Sequence, residues 1–200
     1  MYHRTMRLRV VLALALGFVL AACNGDDTIV GPETSPQASP QIPAPQPVVA
    51  TDPYGNTYTI IEGPPLGFPL QLTKLISVQG GTISLLGHTL VVPKGAVTSP
   101  TLFTMLVGLN GKVEVHLTAL VPTLFNLLNI GEQGFRKPVR LTLSYAHARN
   151  VQDPNDLVIV YVPGLLGYNR VEPLPTTVDT VRKTVTAELD HFSRYALATN

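Results

Sequence analysis

The sequence predicts an all-β protein: one antiparallel β-sandwich over residues 51–200, with its core at about 72–198. Three observations carry this. Beyond Thr51 the hydrophobic period is two rather than 3.6, the strand-like runs are short, and Gly, Pro, Asn and Asp separate them at close intervals. About 150 residues are enough to bury a core without disulfides.

In chain order, Phe68-Pro69-Leu70-Gln71-Leu72 alternates apolar and polar positions as a half-covered strand does. Gly80-Gly81 then permits backbone angles closed to other residues. Pro93-Lys94-Gly95 suits a tight turn. Asn110-Gly111 predicts a hairpin, because both residues tolerate positive φ. Lys112 to Ala119 sets Val113, Val115, Leu117 and Ala119 against Glu114, His116 and Thr118. Pro122 to Ile130 is apolar without alternation and reads either as a short helix or as a loop folded onto the sandwich edge. Val139 to Leu143 alternates again, with Pro138 at the strand start, where no ladder bond is lost. Asp153-Pro154-Asn155 and Pro163-Gly164 are turns flanking Leu157 to Val162, a continuous apolar run suited to a strand buried on both faces. Val181 through Leu189 is the last clear alternation.

The N-terminus has a different character. Arg4, Arg7 and Arg9 precede an apolar run from Val10 to Leu20, and no acid occurs there. A basic flank, a short apolar stretch and small residues form the layout of a secretory signal. The run is too short to span a membrane, which takes roughly 20 apolar residues. It ends Leu20-Ala21-Ala22-Cys23, which resembles a bacterial lipobox. The resemblance implies cleavage of residues 1–22 and lipidation of the Cys23 sulfur. Two or more acyl chains anchor stably, at about 0.8 kcal/mol per buried methylene. Cys23 is the only cysteine, so it has no disulfide partner within the chain. Asn24, rather than Asp, follows it, which in enteric lipoproteins implies the outer membrane. Residues 23–50 carry prolines at 32, 36, 40, 43, 45 and 47 and no Lys or Arg. Such a composition reads as a disordered, extended spacer, at about 3.1 Å per residue.

Charge excludes one class of partner. The formal net charge is +1, but three of the 14 basic residues leave with the signal, so 11 face 13 acids. A near-neutral chain without a basic cluster is not expected to bind nucleic acid. Most enzyme signatures are absent, and no cofactor or small-molecule substrate is implied. His88, His116, His147 and His191 lack metal-ligand spacing and read as scattered surface or edge residues. Asp153, Asn155 and Asp156 offer oxygens to calcium, although such a group around a proline more often makes a turn.

Four pieces in order resemble the ZU-five domain, the β-sandwich of zonula occludens protein, netrin receptors and ankyrins, similar to domains of bacterial surface lipoproteins. They are Gly80-Gly81-Thr82-Ile83, Leu90 through Val97, Phe135 through Leu143, and His191 through Ala196. The resemblance spans roughly Leu72 to Ala198 and implies a non-enzymatic module that contacts a protein of the cell envelope. In some ZU-five domains His-Phe-Ser is a self-cleavage site. The resemblance then implies that Ser193 attacks the Phe192 carbonyl, that His191 assists the proton transfer, and that water hydrolyses the ester. The bland alternative packs Phe192 in the core with His191 and Ser193 outward. Glycan binding is a further alternative, weakened by the absence of tryptophan.

Overall fold

Alternating side chains form strands here where a strand has a core to face on one side, as in His88–Val92, Thr101–Val107, Val139–Ser144 and Thr184–Leu189. The computed structural model describes residues 46–124, 126–164 and 167–200. Cys23, the signal segment 1–22 and the spacer up to residue 45 lie outside the described residues. The strands are β1 (Val49–Thr51), β2 (Thr57–Ile60), β3 (Leu70–Ile76), β4 (Gly81–Leu85), β5 (His88–Val92), β6 (Thr101–Val107) and β7 (Glu114–Pro122). They continue as β8 (Leu127–Asn129), β9 (Val139–Ser144), β10 (Leu157–Val162), β11 (Glu172–Pro173), β12 (Thr176–Asp179), β13 (Thr184–Leu189) and β14 (Arg194–Thr199). The fold is all-β, two antiparallel sheets face to face, as predicted. Among the described residues no helix is long and apolar enough to cross a membrane.

The first sheet runs β1-β2-β14-β7-β6-β3, with β10 on the other side of β14, β11 beyond β10, and β8 on β7. The second runs β12-β13-β9-β5-β4. Their facing sides enclose the main core, in which Phe103, Met105, Leu117, Leu141, Leu143, Ile159 and Leu197 are buried. Alternation predicts this correctly in β7 and β9: Val115, Leu117 and Ala119 point inward, as do Val139, Leu141 and Leu143.

A second, smaller core lies on the opposite face of the first sheet. Ala50, Tyr58, Ile60, Val160, Val162, Ala196 and Ala198 share that face and are joined by Tyr168 and Val171. The chain after β10 closes it. Thr51 bridges Arg170, and the Val171 N–H donates to the Thr51 carbonyl at 3.1 Å. β1, β2, β14, β10 and β11 thereby form a small closed ring, and β14 is buried on both faces.

Four expectations are corrected. The globular part starts before Thr51, because Val49 and Ala50 pair with β2 and Ala50 enters the second core. Pro122 to Ile130 is neither helix nor irregular loop. The Thr123 N–H and Oγ1 both bond the Asn126 carbonyl, and the chain returns as β8 along β7. Its three residues are exposed, so no alternation marks it. Val181 is 91 % exposed in a turn, not in a strand, because Asp179 Oδ1 accepts the N–H groups of Val181 and Arg182 at 3.0 and 2.8 Å. Finally, Pro69 delays β3 to Leu70, and the strand is mostly exposed at the sheet edge. The Asn110-Gly111 hairpin forms as expected: β6 and β7 pair across a loop in which Asn110 and Gly111 have φ of 59° and 61°.

Candidate functional site

Strand register decides what surrounds residues 191–193. Arg194 opens β14 opposite His116 of β7, so His191-Phe192-Ser193 occupies the bend between β13 and β14. Phe192 enters the main core, edge-on to Phe103 and Phe135 at 5.6 and 4.6 Å between ring centroids. Its N–H donates to the Gly131 carbonyl at 2.7 Å, and the Ser193 carbonyl accepts the Leu117 N–H at 2.9 Å. The Tyr195 hydroxyl donates to the His191 carbonyl at 2.7 Å, and the His191 ring stands edge-on to Tyr161 at 5.2 Å. The bend is thus anchored on both sides of the Phe192–Ser193 bond.

His191 and Ser193 are half-buried on the wall of an open cleft of about 410 Å³, shared with His116, Tyr161, Asn129 and Glu132. Burial holds the His116 imidazole below its ordinary pKa, and the nearby Arg194 charge adds to this. A neutral imidazole, a hydroxyl and an amide on one wall can hydrogen-bond a polar ligand or a peptide. Acyl transfer would further require strain at the bond attacked. Among the described residues, the non-glycine residues with positive φ are Leu86, Asn110, Asn150 and Lys183, away from this bend.

Beside the cleft lies a buried polar group that the sequence does not announce. Glu114 is 1 % exposed although it sits on the outward face of β7. The Tyr168 hydroxyl donates to Glu114 Oε2, and Asn110 Nδ2 donates to Oε1 at 3.2 Å. Arg194 donates to the Gly167 carbonyl, and its guanidinium carbon stands 4.8 Å over the Tyr168 ring. Burial pushes the Glu114 carboxyl above its usual range, against the opposing pull of Tyr168, Arg194 and Asn110. Burial likewise raises the Tyr168 phenol. This arrangement locks the 167–171 segment over one end of the small ring. Its only sequence signal is that Glu114 and Arg194 stand in strands, and parity alone sends Glu114 to solvent.

The expectation of surface or edge histidines fails for His88, which is 6 % exposed. It opens β5 with its ring turned to the end of β9, where Nδ1 accepts the Ser144 N–H at 3.1 Å. His147 is exposed and borders the same cavity as His88, while His116 and His191 share the cleft. Asp153 Oδ1 is engaged by the Asn155 N–H and Nδ2 at 2.8 and 2.9 Å, capping a 3₁₀ turn, so that carboxylate serves the turn. Among the described residues no group of three His, Cys, Asp or Glu side chains is placed to hold a metal ion. The chain matches no protein-family model, and no curated protein is significantly similar to it.

Proposed function

We propose that the chain is a lipid-anchored protein-contact module of the bacterial cell envelope, tethered through Cys23 and without enzymatic activity of its own. The observation that carries the contact role is the bare half of the first sheet. Cross-strand register aligns Leu75, Leu102 and Leu120 in one row across β3, β6 and β7, and Leu127 of β8 stands opposite Pro122 on the same face. Leu75 is 57 % and Leu127 51 % exposed. A contiguous aliphatic patch on a sheet face marks an interaction surface, whereas scattered apolar residues do not. The row holds no aromatic ring to stack on a sugar, which favours a protein partner over a glycan.

The ZU-five resemblance supports the same reading. Its four pieces cover the start of β4, β5 with the turn after it, the segment leading into β9 and the bend leading into β14. The anchor rests on the lipobox residues and on the spacer that follows them. Labelled palmitate is expected in the full-length protein and not in Cys23→Ser; equal labelling of both would refute the anchor. An envelope protein that co-purifies with the wild type is expected to be lost from Leu102→Thr/Leu120→Thr. Its full retention would put the contact elsewhere.

Self-cleavage between Phe192 and Ser193 is the second reading, favoured by the placement of His191 and Ser193 on one open wall. The intact mass of denatured protein tests it. A fragment ending at Phe192 would establish cleavage, and a single species ending at Asn200 would remove it.

A further inference from the structure

We propose that the cavity beside His88, at the β4–β5 turn end of the sandwich, binds a small uncharged molecule: an apolar ring of roughly six or seven heavy atoms with one hydrogen-bond acceptor. The cavity measures about 150 Å³, and its walls include Leu66, Leu86, Val107, Val113 and Ala148. An apolar cavity of about that volume accommodates benzene. It is a pocket at the surface end of the core: Val107, Val113 and His88 form its buried floor, and Pro64, Leu86 and His147 stand exposed at its rim.

The polar feature of the wall is directional. A backbone N–H only donates, so the bond from Ser144 to His88 Nδ1 leaves that nitrogen bare and puts the proton on Nε2. Among the described residues no protein acceptor meets Nε2. His88 borders the cavity, and its Nε2–H is the donor proposed to meet whatever enters. Burial lowers its pKa to about 4, so it stays neutral over the physiological range. Lys112 also borders the cavity, but Glu62 engages its ammonium at 3.3 Å. His147 stands at the exposed rim, so a charged ligand on the buried floor would be desolvated without a buried counter-charge beside it.

The mouth supplies an independent observation. Leu85 pairs with His88, so Leu86 and Gly87 form a two-residue turn with φ of 50° and 81°. Turns of this kind favour Asn, Asp or Gly, and a leucine held there is strained. Core burial does not explain it, because Leu86 is 46 % exposed. What its side chain does is form the lip of the cavity. Strain retained at a ligand's point of entry is a recurrent feature of binding sites.

The test titrates full-length protein with cyclohexanone, benzene and benzoate while following the NMR resonances of His88, Ser144 and Val113. Both neutral probes are expected to give saturable shifts, with cyclohexanone about tenfold tighter because it accepts from Nε2–H. Benzoate is expected to give none. Leu86→Asn relieves the strained turn, so the melting temperature should hold or rise while cyclohexanone affinity falls severalfold. Four results would overturn the proposal: no saturable shift with either neutral probe, benzene binding as tightly as cyclohexanone, benzoate binding most tightly, or Leu86→Asn leaving affinity unchanged.

Discussion

The outer face of the first sheet carries two surfaces that differ in fate although one continuous sheet builds them. Over β1, β2, β14 and β10 it is closed into a ring around a buried apolar cluster. Over β3, β6, β7 and β8 it carries leucines and threonines in open register, with Thr73 and Thr104 hydroxyls 2.8 Å apart beside the leucine row. The covered half uses Ala196 and Ala198 where the chain crosses closely, and Tyr168 plugs the remaining space. Glu114, Tyr168 and Arg194 mark the border between the halves. Burial on a sheet's outer face is therefore decided by which later segment returns across it, not by the strand's own pattern.

Equal truncations on the two halves should separate them most. Ile60→Ala, fully buried in the ring, is expected to cost about 3 kcal/mol in urea denaturation. Leu75→Ala on the open half is expected to cost less than about 1 kcal/mol. Equal losses would mean that the open half is covered.

The pH dependence of stability comes next, and two buried groups contribute with opposite signs. His88 has its pKa lowered to about 4 from an ordinary 6.5, so the unfolded chain binds the proton more readily. Its contribution is present above pH 6.5 and is lost as pH falls towards 4, by about 3 kcal/mol at most. His88→Asn should remove that acid-side loss. Glu114 has its pKa raised, so its contribution is present below the ordinary value of 4.5 and is lost as pH rises through the folded value. Glu114→Gln should flatten the profile above pH 4.5. A steeper profile in either variant would contradict the assignment.

The smallest effect belongs to the open face. Leu102→Thr and Leu120→Thr should each change stability by no more than about 0.5 kcal/mol, since neither belongs to a buried cluster. A loss of several kcal/mol in either would show that the row is structural.

The fold was legible where a strand has one covered face and a turn has a steric demand. β7, β9 and β10 alternate or run apolar as their burial requires. Gly80 is needed because a Cβ there would lie 2.4 Å from the Val92 carbonyl oxygen, at a φ of 81°. β3 misleads because its alternation faces nothing, and β8 because both its faces are wet. Val181 misleads because a side chain two residues earlier bends the backbone. The cleft residues 191–193 could be picked out as a motif, but Glu114 and His88 could not. Their burial depends on segments more than 50 residues away in sequence, Tyr168 and Ser144, which no local period reports.

The central claim is that the bare half of the first sheet meets a protein partner in the envelope. A photo-crosslinking amino acid placed at Leu102, in full-length protein expressed in its own envelope, tests it most directly, with exposed Thr177 of β12 as the comparison site. The account predicts a discrete protein adduct from position 102 and none from position 177. An adduct from position 177 alone, or no adduct from position 102, would contradict it.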